Sequence, residues 1–298
     1  MKILSGSSNL PLAKKIASNL DSNLVEVELA QFPNGEKRVW VKESLENHSV
    51  AIVQSFSDPV DEHIIELCLL IDAVKNLKAK KIIAVIPWFG YSPQDKLFRT
   101  GEPISAQVIA RLVESVGLDH VVIADIHSHD SLKFFTIPTT HVSALPIFTN
   151  CFSQKKLNNF VTLALDKGAV ERAQSFAAHF DLPVAYFKKV RDGKTGKVTF
   201  KHLKGDITGK KVISFDDFVS TGSTRIQAAQ ILKTQGATYY IDCITHAILA
   251  GNTHKLLQLS LIDKIFVTDT YPIPSAKHIP KMSILSSAST LAQSIKAL

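Results

Sequence analysis

Cysteine is scarce in this sequence: Cys68, Cys151 and Cys243 are the only three in 298 residues, each alone in an apolar context. That distribution excludes a disulfide framework or a zinc clip and points to core thiols in a reducing compartment. No apolar run reaches the roughly 18 residues that a membrane span needs. The opening MKILSGSSNLPLAKK reads as a strand and a turn, without the apolar centre of a signal peptide. Aromatics make up only 8% of the chain, lysines are scattered, and no basic helix or RNA-binding signature appears. The net charge of +7 therefore favours small phosphorylated anions over nucleic acid. The expectation is a cytoplasmic protein with neither a nucleic-acid nor a membrane partner.

What the chain does have is length and core. At 45% hydrophobic and 20% charged, 298 residues suffice for two ordinary domains. Short β-branched runs (VAIVQS, KIIAVIP, HVVIADI, FVTLAL, KVISFD, YYIDCIT, KIFVTD) alternate with helical patterns. Runs apolar on both faces suit parallel strands covered by helices. Val60, Ile64, Leu67, Ile71 and Val74 make one apolar stripe at helical spacing; Ile104, Val108, Leu112 and Val116 make another after Pro103. The fold class is α/β with mainly parallel sheets.

The halves also echo one another. IARLVESVGLDHVVIADIH and AAQILKTQGATYYIDCITH share a helix–Gly–strand–His order, with Gly236 and His246 each 119 residues after Gly117 and His127. A duplicated domain is expected, 1–145 and 146–287, with the closing helix 288–298 a candidate to return to the first half.

One stretch concentrates the chemistry. In KKVISFDDFVSTGSTRIQAAQIL, an apolar run meets Asp216 and Asp217, then Ser220, Thr221, Gly222, Ser223 and Thr224, then a helical pattern. A helix N-terminus offers unpaired N–H groups to a phosphate. Hydroxyls add donors, and glycine allows close approach. Two adjacent carboxylates suit vicinal sugar hydroxyls, so a phosphorylated sugar explains why like charges sit together. The plainer alternative is a hydroxyl-capped helix after an acidic turn.

This stretch resembles the phosphoribosyl-diphosphate loop of the type I phosphoribosyltransferases, in the form carried by ribose-phosphate diphosphokinases. Five further stretches carry the same resemblance. FPNGE (Phe32, Asn34, Glu36) is similar to that family's adenine loop, which reaches into a neighbouring subunit; taken alone it is an Asn-Gly turn. WFGYSPQDK (Gln94, Asp95, Lys96) resembles its second ATP segment, with Pro93 where the family usually has arginine. ADIHS places Asp125 and His127, and ALDKGAVERA places Asp166, each at a predicted C-terminal strand edge, where open α/β sheets bind ligands. YFKKVRDGKTGKV (Lys189, Arg191) resembles the lid that closes over the transferring diphosphate; alone it is a solvated basic hairpin. Leu165 stands for the usual proline, and Ser223 for a second loop glycine.

The resemblance implies two tandem phosphoribosyltransferase-like domains and a homo-oligomer, a dimer or a multiple of it. It further implies Mg-dependent transfer of diphosphate from ATP to ribose 5-phosphate, giving 5-phosphoribosyl 1-diphosphate and AMP for nucleotide biosynthesis. The roles it implies are ribose-phosphate binding by Asp216, Asp217 and residues 220–224, and ATP binding by Phe32, Asn34, Glu36, Gln94, Asp95 and Lys96. It assigns the Mg2+ cofactor to His127 and Asp166 and catalysis to Lys189 and Arg191. Two alternatives are a phosphoribosyltransferase, which needs one such domain and no adenine loop, and an inactive regulatory homologue, which would account for Pro93 and Ser223.

Overall fold

Apolar runs become buried strands wherever the sequence places β-branched residues on both faces. A computed structural model describes residues 1–166, 168–191 and 198–298. It divides into two units: Met1–Ala144 with Asp269–Pro272 and Ser286–Leu298, and Leu145–Thr268 with Ile273–Leu285.

The first unit runs β1 (Lys2–Ser5), α1 (Leu10–Asn19), β2 (Val27–Gln31), β3 (Lys37–Val41), β4 (Ser49–Val53), α2 (Val60–Asn76), β5 (Lys81–Ile86), α3 (Ser105–Ser115), β6 (His120–Ala124) and β7 (Thr139–Val142). Its five-stranded sheet has the order β1-β4-β5-β6-β7 and is parallel throughout. β2 and β3 form a separate antiparallel hairpin.

The second unit runs α4 (Leu145–Phe152), β8 (Phe160–Ala164), α5 (Val170–Phe180), β9 (Val184–Arg191), β10 (Val198–Lys204), β11 (Lys211–Val219), α6 (Ser223–Thr234), β12 (Tyr239–Ala247), α7 (Thr253–Leu259), β13 (Lys264–Thr268) and β14 (Met282–Leu285). Its seven-stranded sheet has the order β10-β9-β8-β11-β12-β13-β14. Only β10 is antiparallel to its neighbour. The fold is α/β, with two mainly parallel sheets flanked by helices.

The last helix, α8 (Ala288–Lys296), belongs to the first unit: Leu291, Ala292 and Ile295 join Ile3, Leu12, Ile16, Val85 and Val122 in one core. Asp269 fastens it there. One of its carboxylate oxygens accepts from Ser287 N and Oγ, both at 2.7 Å, and the other from Lys15 Nζ and Ser286 Oγ, both at 2.9 Å. No helix among the described residues is long and apolar enough to cross a membrane.

Two details differ from the sequence pattern. The Val108 and Leu112 stripe of α3 faces outward, and Ala106, Ala110 and Val113 face the core instead. The buried face is the one with the smaller side chains, which periodicity of large residues cannot register. Strand β11 also does not stop before the aspartates: pairing with β12 continues from Asp216↔Ile244 to Val219↔Ala247.

Candidate functional site

In the second unit, the strand extension puts Asp216 and Asp217 inside β11, so their side chains leave on alternate sides of the strand. Asp217 is buried, whereas the Asp216 side chain keeps 16% exposure. Their proximity is balanced by two arginines. Arg225 Nη2, on α6, donates to Asp216 Oδ2 at 3.0 Å. Arg172 Nη1, on α5, lies 3.9 Å from an oxygen of each aspartate. That Arg172 nitrogen is buried and has no hydrogen-bond partner among the described residues. Like charges are thus already shared by the protein, before any sugar or metal arrives. Burial pushes the Asp216 carboxyl up to about 6, with Arg225 pulling downward and Asp217 adding to the rise.

Arg225 is 3% exposed and its fork is fully used. Nη1 donates to both oxygens of Asp242 at 3.0 Å, and Nη2 also donates to Phe218 O at 2.8 Å. Asp242 accepts in addition from Ser214 Oγ at 2.7 Å, and Ser214 shares a 2.8 Å hydrogen bond with the Tyr240 hydroxyl. Burial raises the Asp242 and Tyr240 pKa values.

Beyond β11, Gly222 begins α6 with φ +73°. A Cβ there would stand 3.1 Å from Thr253 Cγ2, a tight contact, and the positive φ favours glycine. No side chain among the described residues caps α6; Arg225 N and Ile226 N bond back to Gly222 O. The N–H groups of its first positions, Ser223 and Thr224, precede the point where intrahelical bonding begins. Thr221 and Ser223 are exposed, their hydroxyls 3.3 Å apart. Hydroxyls, a glycine turn and a positive helix end are features that suit an anion.

Asp166 follows β8, and its Oδ1 accepts from Ala169 N at 3.0 Å, holding the turn into α5. Leu165 before it is fully buried in the core with Val161 and Leu163. Lys189 and Arg191 lie on β9, opposite Phe200 and Val198 of β10; their side chains, and residues 192–197 on which the expected lid falls, lie outside the described residues.

In the first unit, residues 32–36 close the β2–β3 hairpin. Phe32 N donates to Glu36 O and Gly35 N to Phe32 O, both at 2.8 Å, and Gly35 has φ +93°. Phe32 is 49% exposed, with Asn34 and Glu36 exposed beside it. A large aromatic ring at a hairpin tip makes no contribution to a core. The second segment is anchored by the buried Trp88 and Phe89. Gln94 works inside its own loop, accepting from Ser105 Oγ at 2.7 Å and donating to Pro103 O at 3.3 Å, which holds the start of α3. Lys96 Nζ lies 5.7 Å over the Phe98 ring. His127 is exposed just past β6; Asp125, two residues before, is buried with φ +35°. His141 Nε2 lies 3.8 Å from Asp125 Oδ1, and the His129 and His141 rings meet edge-on at 4.3 Å.

Comparison with known proteins gives this arrangement its family. A family model described as the N-terminal domain of ribose phosphate pyrophosphokinase matches residues 1–117, and a phosphoribosyl transferase domain model matches residues 146–275. A ribose-phosphate pyrophosphokinase from Caldanaerobacter subterraneus subsp. tengcongensis is 36% identical over 296 residues, covering 99% of this chain and 93% of the relative. The chain belongs to the ribose-phosphate pyrophosphokinase family. The Bacillus subtilis ribose-phosphate pyrophosphokinase is likewise 36% identical, over 295 residues and 93% of its length. The crystal structure of a phosphoribosylpyrophosphate synthetase from Mycobacterium smegmatis superposes with a TM-score of 0.92 at 31% identity, covering 99% of this chain and 97% of that one. With the family comes the enzyme class, a diphosphate-group transferase, and the architecture of two phosphoribosyltransferase-type domains.

Sequence reasoning missed Arg172, Arg225 and Asp242. A signal existed for the last two. Asp242 is a charge inside the apolar run YYIDCIT, and Arg225 is a cation in a helix's first turn, where the dipole disfavours it. Each is unreasonable alone and reasonable only with a partner of opposite charge.

Proposed function

We propose that this enzyme transfers the β,γ-diphosphate of ATP to the anomeric hydroxyl of ribose 5-phosphate, producing 5-phosphoribosyl 1-diphosphate and AMP. The observation that carries the reading is the Asp216–Asp217 pair beside the Gly222 cradle on one unit. Carboxylates accept the vicinal ribose hydroxyls, while the start of α6 and the hydroxyls of Ser220, Thr221, Ser223 and Thr224 receive the 5-phosphate. Phe32 stacks on adenine and Asn34 and Glu36 bond its edge, a use that accounts for their exposure. Gln94, Asp95 and Lys96 serve the rest of the nucleotide. Lys189 and Arg191 meet the diphosphate as it moves, and their charge matters most in the transition state.

Magnesium fits the donor set. Such a hard ion takes oxygen ligands, one or two carboxylates, waters and substrate phosphates, rather than an all-protein cage. Among the described residues, no group of three or more His, Cys, Asp or Glu side chains forms such a cage. Asp166 on the second unit and, through water, His127 on the first are the residues proposed to serve magnesium, each on its own unit. When bound, the ion neutralises phosphate charge.

In the reaction the ribose O1 attacks the β-phosphorus, the bond from that phosphorus to the α-phosphate oxygen breaks, and AMP leaves. The hydroxyl proton passes to solvent. Positioning of the two substrates carries most of the rate. The outward apolar residues Val108 and Leu112 of α3 and Ile65 and Leu69 of α2 support a homo-oligomer, and the reduced cysteines support a cytoplasmic setting.

A coupled assay of AMP release from ATP and ribose 5-phosphate tests the reading. Steady AMP formation that requires both substrates is expected. Pro93 favours a second reading, a homologue that binds both substrates without turnover; binding of both by calorimetry with no AMP would establish it. Consumption of the 1-diphosphate with a nucleobase would mark a phosphoribosyltransferase.

A further inference from the structure

The hydrogen-bond chain Tyr240–Ser214–Asp242–Arg225–Asp216 is buried at every member but its last. Arg225 has all the neutralisation it needs from Asp242, whose two oxygens both face Nη1 at 3.0 Å. Its second nitrogen nevertheless reaches past that pair to Asp216 and to Phe218 O, the two groups that flank Asp217 along β11. A purely structural ion pair has no need of that reach. The planar fork carries its donors in fixed directions, so clamping one side orients the other.

We propose that Arg225 is a positioning residue of the sugar-phosphate site, a fork anchored by Asp242 that fixes the direction of the Asp216 carboxylate and the end of strand β11 around Asp217. The inference rests on the reading of this site as the binder of ribose 5-phosphate. Three features of the geometry agree. Asp216 keeps its partial exposure at the open end of the chain while one oxygen is held from behind. Its other oxygen accepts from Asp217 N at 3.0 Å, so rotation of either group is coupled to the next. Ser214 and Asp242 are direct cross-strand partners, which sets the clamp on two adjacent strands of the sheet rather than on a loop. A ligand carboxylate held this way meets sugar hydroxyls without first losing rotamer freedom.

The test separates positioning from mere support of the fold. Replacing both members of the buried pair, Arg225→Met/Asp242→Leu, strands neither of them and leaves Asp216 with Arg172 at 3.9 Å as its cation; swaps of a buried ion pair are commonly tolerated by folded proteins. Ribose 5-phosphate and ATP affinities are measured by calorimetry from pH 5 to 8 on the full chain, for wild type, the double variant, Arg225→Lys and Asp216→Asn. Wild-type binding that Asp216→Asn weakens establishes the site itself. The double variant is then expected to lose about tenfold or more in ribose 5-phosphate affinity while ATP affinity changes less than about twofold. The pH midpoint of sugar-phosphate binding moves upward, because Asp216 loses the nearer cation that favours its ionised form. The ligand's own titration is common to all four proteins and cancels. Arg225→Lys keeps the charge without the fork and is expected to show the same loss; if the double variant does not fold, this variant alone decides. Wild-type affinity with an unchanged midpoint in the double variant, or wild-type affinity in Arg225→Lys, would overturn the proposal and leave Arg225 as a fold element. A wild-type chain that does not bind ribose 5-phosphate overturns the site reading, and the proposal with it.

Discussion

Substituting Asp216 by asparagine should act in opposite directions on stability and on sugar-phosphate binding. Burial carries the Asp216 carboxyl from 3.8 up to about 6. Between those two values the folded protein holds a proton that the unfolded chain has released. The stability contributed by that proton is complete below 3.8 and is lost as pH rises through about 6. At pH 7.5 the ionised group therefore weighs against folding by about 3 kcal/mol, from a shift of roughly two units at 1.36 kcal/mol each. Asparagine is neutral at every pH and its side-chain oxygen still accepts from Arg225, which stays paired with Asp242; its amide nitrogen replaces the oxygen that accepted from Asp217 N, which takes back part of the gain.

Asp216→Asn should thus raise the melting temperature of the ligand-free protein at pH 7.5, by roughly 5–10 °C for a domain of this size. The gain should disappear near pH 4, where wild type is protonated as well. Meanwhile ribose 5-phosphate affinity should fall by about 10- to 150-fold, the worth of one charge-assisted hydrogen bond at roughly 1.5–3 kcal/mol. Differential scanning calorimetry at the two pH values and titration calorimetry at pH 7.5 measure both arms. A lower melting temperature at pH 7.5, or the same difference at both pH values, would refute the argument from burial. Unchanged sugar-phosphate affinity would reduce the aspartate to a partner of Arg225.

Three further outcomes are expected. Lys189→Ala should lower kcat about 10²–10³-fold with KM nearly constant, as for a lost transition-state donor, whereas a solvated hairpin lysine would alter steady-state AMP formation by less than about twofold. A Phe32→Ala/Glu36→Ala chain mixed with an Asp216→Asn/Asp217→Asn chain, each inactive alone, should recover partial activity once subunits exchange; no recovery despite exchange seen by mass spectrometry would remove the hairpin tip from a shared site. Gly222→Ala, forced to φ +73° with its Cβ 3.1 Å from Thr253, should destabilise by more than about 1 kcal/mol and weaken ribose 5-phosphate binding, and an unaltered melting curve would show that the turn relaxes freely.

The strands were legible because parallel sheets bury both faces, so KIIAVI and FVTLA announce themselves by composition alone. Gly222 was legible as a special position for its lack of a side chain, but its left-handed turn at φ +73° and its contact with Thr253 were not. What periodicity could not reach was anything decided by partners remote in sequence. The α3 stripe of Val108 and Leu112 looks like a core face, but the sheet accepted the smaller Ala106 and Ala110, and only the packed structure ranks those two sides. The carboxylate pair is the sharper case. Read along the chain, Asp216 beside Asp217 demands an external partner, and a sugar with magnesium supplies one. Read in space, Arg225 and Arg172 supply it already, and Arg225 in turn requires Asp242, 17 residues on. The pair therefore does not depend on ligand to exist; it stands preassembled, with one carboxylate raised in pKa and held from behind. On the proposed reading the empty protein already carries the cost of burying that charge, only partly offset by the two arginines, and sugar hydroxyls would complete hydrogen bonds that the fold has aimed.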